Sequence, residues 1–240
     1  MGNISHELKT PMTSIGGFID GILDGTIPPE KQSHYLGIVS QEIKRLSRMV
    51  VSMLNIAKIE AGEMRLNLQA VDLHEIVCRT VLGFENKIEE KHIAINGLDS
   101  DKVFIEADPD MIYQVVYNLI ENAVKFTPDG GEISIAYKND GKYVSTSIKN
   151  TGEGISKEEI SHLFERFYKT DRSRGMDTKG VGLGLHIVKS LINIHDGTIV
   201  VKSVQGEYSE FIFTLYALSQ KEISALLKKD NIKCRQSINN

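Results

Sequence analysis

The residues with the most chemical potential stand near the start of the chain. Asn3-Ile4-Ser5-His6-Glu7-Leu8-Lys9-Thr10-Pro11 sets an imidazole beside a carboxylate, with a hydroxyl one turn further on. Apolar Ile4, Leu8, Met12 (or Pro11), Ile15 and Ile19 recur at helical spacing and mark a buried stripe. His6 falls about 200° around the helix from Ile4, which places it on the outward face. A neutral imidazole there is nucleophilic near neutral pH, and Glu7 can take its ring proton. Pro11 has no N–H for the Glu7 carbonyl and crowds it, so the pattern predicts a kink at the turn that carries His6.

Three other segments are suited to an anionic ligand. Around Asn118-Leu119-Ile120-Glu121-Asn122-Ala123-Val124-Lys125, helical spacing puts Gln114, Asn118, Asn122 and Lys125 on one face, with Ile112, Val116, Leu119 and Ala123 on the other. Amide oxygens are hard ligands suited to Mg²⁺, and Lys125 can balance phosphate charge. Asn150-Thr151-Gly152-Glu153-Gly154-Ile155 follows a predicted strand, and its glycines would let backbone approach a flat base closely. Gly180-Val181-Gly182-Leu183-Gly184-Leu185 opens a predicted helix, where unpaired N–H groups and the dipole favour an anion. It is neither a P-loop nor the dinucleotide fingerprint. Phe164-Glu165-Arg166-Phe167-Tyr168 and a polar stretch with Lys169, Arg172, Ser173, Arg174 and Lys179 lie between the last two, as a mobile cationic lid would.

The elements that must position these groups can be read from periodicity. Residues 4–23 form one helix, stopped by Asp24-Gly25-Thr26-Ile27-Pro28-Pro29. A second carries Leu36, Val39, Ile43, Leu46, Val50, Met53 and Ala57 as a coiled-coil-like seam. Two helices alone cannot enclose such a seam, so a dimeric four-helix bundle is expected. Beyond Gly62 the pattern changes. Strands are expected at 66–70, 92–96, 103–107, 132–138, 143–150, 198–203 and 210–216, and helices at 73–90, 111–126 and 184–194. Hairpins mixed with helices argue for an α+β fold, in which helices cover one face of a mixed sheet.

Bulk properties narrow the classes. The formal net charge of −4 leaves no electrostatic footprint for nucleic acid or an anionic membrane surface. Cys78 and Cys234 have no metal-ligand spacing, and Cys78 lies among Ile76, Val77, Val81 and Leu82 as a core residue would. No apolar run has the length of a transmembrane helix. Helices rarely begin on their functional turn, so the sequence reads as a fragment of a longer protein, with a membrane anchor among the segments that could precede it. Residues 220–240 read as a polar tail.

Taken together, these segments resemble the cytoplasmic catalytic core of bacterial two-component sensor histidine kinases. Ser5 to Pro11 matches the family's H box, Asn118 to Lys125 its N box, Asn150 to Ile155 its first glycine box, Phe164 to Phe167 its F box, and Gly180 to Leu185 its second glycine box. The resemblance covers residues 3–216, with five motifs in the family's order. It implies a dimerisation and phosphotransfer hairpin over residues 1–65 and a Bergerat-type ATP-binding α/β sandwich over 66–219. It implies ATP and Mg²⁺ as cofactors and a homodimer that passes a phosphoryl group to the receiver domain of a response regulator. In this reading His6 accepts the γ-phosphoryl group, Glu7 is the general base, and Thr10 orients water for the opposing phosphatase reaction. Asn122 coordinates Mg²⁺, and Asn118 and Lys125 attend the phosphates. Phe126, Asn150, Gly152, Gly154, Ile155, Tyr168, Gly180, Gly182, Leu183 and Gly184 surround the nucleotide. His6 is far from these in sequence, so a hinge is expected near residues 62–66.

One departure stands out. The family most often has aspartate where this chain has Asn150, to accept the adenine amino proton. Charged hydrogen bonds contribute about 1.5–3 kcal/mol and neutral ones about 0.5–1.5, so affinity should fall about fivefold. Glu210, where the family often has a small hydroxyl residue, is expected to compensate by lying near the base. The alternatives are a degenerate nucleotide-binding or interaction module, supported only by Asn150, and a phosphatase-dominant member using Thr10. Sandwich ATPases of the gyrase, chaperone and mismatch-repair types lack the His6 hairpin.

Overall fold

The computed structural model describes residues 2–168, 182–219 and 222, with backbone alone for residues 2–7, 45, 48, 52, 55 and 60. The chain divides into two compact units, one of Met1–Met64 with His162–Ile187, the other of Arg65–Ser161 with the residues from Val188 onward.

In the first unit, α1 (Gly2–Leu23) contains Pro11 and packs on α2 (Pro29–Glu60). Asp24 caps the turn between them by accepting from Thr26 N at 2.9 Å, and Ile27 N donates to Gly21 O at 2.7 Å. Pro29 at the first helical position fixes the entry to α2. The α2 apolar residues sort into two stripes. Val39, Met49 and Ile56 are 6%, 1% and 4% exposed, with Leu46 and Met53 half-buried beside them. Leu36, Ile43 and Val50, spaced at strict heptads, are 51%, 51% and 43% exposed, and Ala57 continues their row. The single seam expected from residues 36–57 is therefore two, one spent inside the hairpin and one facing out. On α1, Pro11 is buried while Met12 and Ile19, expected inside, face outward at 60% and 39% exposure. Gly62, in the left-handed region at φ +66°, ends α2: its N–H bonds Ile59 O, and that of Glu63 bonds Lys58 O.

The second unit contains β1 (Gln69–Asp72), α3 (Leu73–Leu82), α4 (Glu85–Glu90), β2 (Ala94–Asn96), β3 (Phe104–Ala107), α5 (Pro109–Phe126), β4 (Glu132–Asn139), β5 (Tyr143–Thr151) and α6 (Lys157–Ile160). α7 (Gly184–Ile194) leads into β6 (Thr198–Val204) and β7 (Tyr208–Tyr216). The sheet order is β2-β4-β5-β7-β6, with β2 parallel to β4 and every other pair antiparallel; β1 and β3 form a separate antiparallel pair. The expected α+β class with a mixed sheet is what the chain adopts. The helix expected over 73–90 breaks at Gly83, where the chain turns Phe84 inward against Tyr117, ring centroids 5.3 Å apart.

Alternation along β5 and β7 gives the sheet one covered and one open face. Val144, Thr146, Ile148 and Asn150 of β5, and Ser209, Phe211, Phe213 and Leu215 of β7, are buried on the covered face. Met111, Ile112, Val115, Val116, Leu119, Ile120, Ala123 and Val124 supply the buried side of α5, which contacts β5 and α3. Val188, Leu191 and Ile192 of α7 are buried too.

Candidate functional site

α5 carries the polar face expected to bind phosphates and metal, and both its ends are tied down. At its start, Asp108 Oδ1 accepts from Asp110 N and Met111 N, and Oδ2 accepts from Asn67 N at 3.0 Å. The Asp108 N–H donates to Nε2 of buried His195, whose Nδ1 donates to Leu191 O at 2.7 Å. The helix itself was legible from its period; His195 and Asn67, distant in sequence, were not. Along the helix, Gln114, Asn118, Asn122 and Lys125 are half-buried on the side opposite the core. Asn118 Nδ2 donates to Gln114 O one turn back at 2.8 Å, and Lys125 Nζ lies 4.6 Å from the ring centroid of Phe126.

The first glycine turn follows β5 and abuts the end of this helix. A Cβ built on Gly152 would stand 2.7 Å from Phe126 O, and one on Gly154 only 2.2 Å from Val204 O. Gly154 is also left-handed at φ +65°. Both positions therefore demand glycine because protein backbone passes there; the sequence had suggested a ligand as the reason. Hydrogen bonds seat the turn on the β6–β7 connection: Gly152 N to Glu207 O, Gly206 N to Glu153 O, and Ile155 N to Ser203 Oγ.

Asn150 is 5% exposed and faces the helix layer, its Nδ2 donating to Thr151 O at 2.9 Å. Because the amide is planar, that bond turns Oδ1 to the other side as an acceptor. The register pairs Asn150 with Ser209, which is also buried, and Ser209 with Ser203. Glu210 pairs with Lys149 on the open face of the sheet, where its Oε1 accepts from Ser147 Oγ at 2.6 Å. The expectation that Glu210 lies near the base is therefore corrected. Strand alternation puts it on the wrong face, and Ser209 is the hydroxyl beside Asn150.

In the other unit, Phe167 takes a left-handed φ of +63° and donates its N–H to Gly182 O at 2.9 Å. Gly182, at φ +73°, has Tyr168 O 2.7 Å from a built Cβ. The Tyr168 and His162 rings lie 5.7 Å apart, and His162 Nδ1 is 2.7 Å from Glu165 Oε1. Leu183 is buried and accepts the Ile187 N–H within the first turn of α7, which Gly184 opens. His186 joins the two motifs, with Nδ1 donating to Phe164 O and Nε2 accepting from Arg166 Nε at 3.2 Å. Gly180, Lys169, Arg172, Ser173, Arg174 and Lys179 lie outside the described residues, as do the side chains of His6 and Glu7. Thr10 is exposed on α1, one turn beyond His6.

Comparison with known proteins bears on what this arrangement is. Residues 107–218 match the family of histidine kinase-, DNA gyrase B- and HSP90-like ATPases. Residues 1–62 match the His Kinase A phospho-acceptor domain. The sensor histidine kinase YclK of Bacillus subtilis (strain 168) is 37% identical over 216 residues, 90% of this chain and 46% of that protein. The chain belongs to the sensor histidine kinases. Histidine kinase AdeS of Acinetobacter baumannii has a similar structure, with a TM-score of 0.73 at 26% identity over 88% of this chain and 98% of that one. Histidine kinase ThkA, solved in complex with response regulator protein TrrA, gives 0.72 at 29% identity over 90% and 60%. The chain spans less than half the length of the curated relatives it matches.

For a histidine kinase core the donor set on α5 fits a magnesium nucleotide. Among the described residues no cluster of three or more His, Cys, Asp or Glu could hold a metal by itself. Mg²⁺ does not need one. It keeps several waters and is held by one or two protein oxygens together with substrate phosphates, which the half-buried amide of Asn122 can provide. No helix among the described residues is long and apolar enough to cross a membrane.

Proposed function

We propose that this chain phosphorylates itself on His6 with ATP and passes the phosphoryl group to an aspartate of a response regulator's receiver domain. Residues 1–65 form the phosphotransfer hairpin in this reading, and 66–219 bind the nucleotide. The observation that supports it most is the junction of α5 with the first glycine turn. The face of Asn118, Asn122 and Lys125 ends at Phe126, whose carbonyl meets Gly152 two residues beyond buried Asn150. In this reading the phosphate-facing and base-facing groups share one corner of the second unit. The two-stripe hairpin supports a homodimer, because a row of Leu36, Ile43, Val50 and Ala57 facing water would be covered by a second copy.

In the transfer, an imidazole nitrogen of His6 bonds to the γ-phosphorus as the bond to the β–γ bridging oxygen breaks and ADP leaves. Glu7 takes the proton from the other ring nitrogen. Asn122 holds Mg²⁺, which supplies charge neutralisation on the phosphates; Asn118 and Lys125 position them. Such transfer depends on positioning and electrostatics more than on covalent chemistry by the protein. Asn150 Oδ1 accepts the adenine amino proton, with Ser209 beside it. Thr10 orients water for dephosphorylation of the regulator. Incubation with Mg²⁺ and γ-labelled ATP tests the reading. An acid-labile, alkali-stable label that disappears in His6→Gln is expected, and a label that survives this substitution would refute it.

A further inference from the structure

We propose that Lys91 is a positioning residue of the nucleotide site, holding the end of α5 in place against the first glycine turn. The proposal rests on the reading that Asn122, Lys125 and Asn150 bind MgATP. Lys91 lies just beyond α4, more than twenty residues before the first motif of the second unit. Its ammonium donates to Val124 O at 2.9 Å, Lys125 O at 3.2 Å and Thr127 O. The last carbonyls of a helix have no partner within it, and a cation there also meets the negative end of the dipole. One half-buried side chain therefore donates to three carbonyls at the end of α5 and just beyond it.

The backbone of Lys91 acts on the same turn. Its carbonyl accepts from Gly130 N at 2.8 Å, and Ala94 N donates to Gly131 O at 2.9 Å. The left-handed φ of +52° at His92 lets the chain reverse so that both contacts form. Residues 127–131 are thus wrapped onto Lys91 from two sides. They are also where α5 meets β5. Gly131 would bring a Cβ within 2.8 Å of Thr151 Oγ1, Thr151 Oγ1 accepts from Glu132 N, and Gly152 backs onto Phe126 O. A displacement of the α5 terminus passes directly to Thr151, whose carbonyl orients Asn150. Lys91 acts through Lys125 and Phe126 on one side and through Thr151 on the other.

The test measures MgATP affinity by calorimetry and melting temperature on the full chain. Lys91→Met removes the three donors at nearly constant volume. Its dissociation constant should rise about tenfold, which corresponds to about 1.4 kcal/mol. Lys91→Arg, which restores donors, should recover to within about threefold of wild type. Thr80→Ala removes the buried bond from Thr80 Oγ1 to Ile76 O within α3, a helix that carries no expected ligand group, as a control for stability alone. It should lower the melting temperature and leave affinity within about twofold. Should Lys91→Met fail to fold, Lys91→Gln, which keeps amide donors without the charge, is read in its place with an intermediate loss. Affinity within about twofold of wild type in Lys91→Met or Lys91→Gln, with only the melting temperature lowered, overturns the proposal. Asn150→Ala separates the two claims. Unchanged affinity in that variant refutes the site reading itself, whatever Lys91 does.

Discussion

Asn150→Asp separates what this position does for the fold from what it does for the nucleotide, because the two should change in opposite directions. In the fold, Nδ2 donates to Thr151 O at 2.9 Å in surroundings that leave Asn150 5% exposed. A carboxylate introduced there presents oxygen to oxygen, losing a neutral bond worth about 1 kcal/mol and leaving a buried acceptor facing another, which costs about 1–2 kcal/mol more. For a unit of this size the sum of about 2–3 kcal/mol lowers the melting temperature by about 5–10 °C. Acidification should relieve the loss, because protonation removes the charge and gives the introduced group a donor for Thr151 O. Toward adenine the sign reverses. A charged acceptor exceeds a neutral one by about 1 kcal/mol, so the dissociation constant for MgATP should fall about fivefold. The assay pairs a melting curve at neutral and mildly acidic pH with a calorimetric titration. A variant as stable as wild type at neutral pH would refute the claim that the Thr151 bond orients this amide. A variant that binds ATP no more tightly would refute the placement of Asn150 Oδ1 at the base.

Gly154→Ala should lower stability by about 3 kcal/mol, about 1–2 from the left-handed backbone and the rest from the Val204 carbonyl 2.2 Å from the new methyl group. A melting temperature unchanged while ATP affinity falls would restore the ligand-based explanation of that glycine. Thr146→Val should raise stability by about 1 kcal/mol, read as a gain in melting temperature, because Thr146 Oγ1 is buried without a hydrogen-bond partner among the described residues. Ile43→Ser removes an outward apolar residue from each copy of the hairpin. The dimer dissociation constant measured by sedimentation should rise at least about tenfold, at about 0.8–1.5 kcal/mol for the exposed half of each side chain. The Cys78 thiol is pushed up by burial and by the nearby charge of Asp72. In a Cys234→Ser background its alkylation at mildly alkaline pH should be slower than that of a free thiol and still climb at higher pH, since only the thiolate reacts.

What could be read from the sequence was whatever is local. α7 (Gly184–Ile194) has the predicted bounds because its glycine-rich start and apolar period lie within a few turns, and the 143–150 strand could be read from its own alternation. Asn118, Asn122 and Lys125 fell on one face because helical spacing alone determines that. The errors fall where the answer depends on a register or on a distant group. Moving one residue along a strand exchanges faces, so nothing near Glu210 in sequence could show that Ser209 is the residue opposite Asn150. The residues from Leu36 to Ala57 fit one seam equally well as a list, and only the packing of α1 against α2 divides them into an inner and an outer stripe. Glycines 152 and 154 were noticed for a ligand, and the fold supplies a reason for them that the sequence could not show. Their neighbours are the carbonyls of Phe126 and Val204, one of them fifty residues further along the chain. Lys91 belongs to the same class: a lysine after a short helix has no local signal, and its role exists only because three carbonyls from another element converge on it. The motifs therefore point to the groups proposed to perform the chemistry. How rigidly they are held depends on backbone atoms, and sequence patterns do not record where those meet.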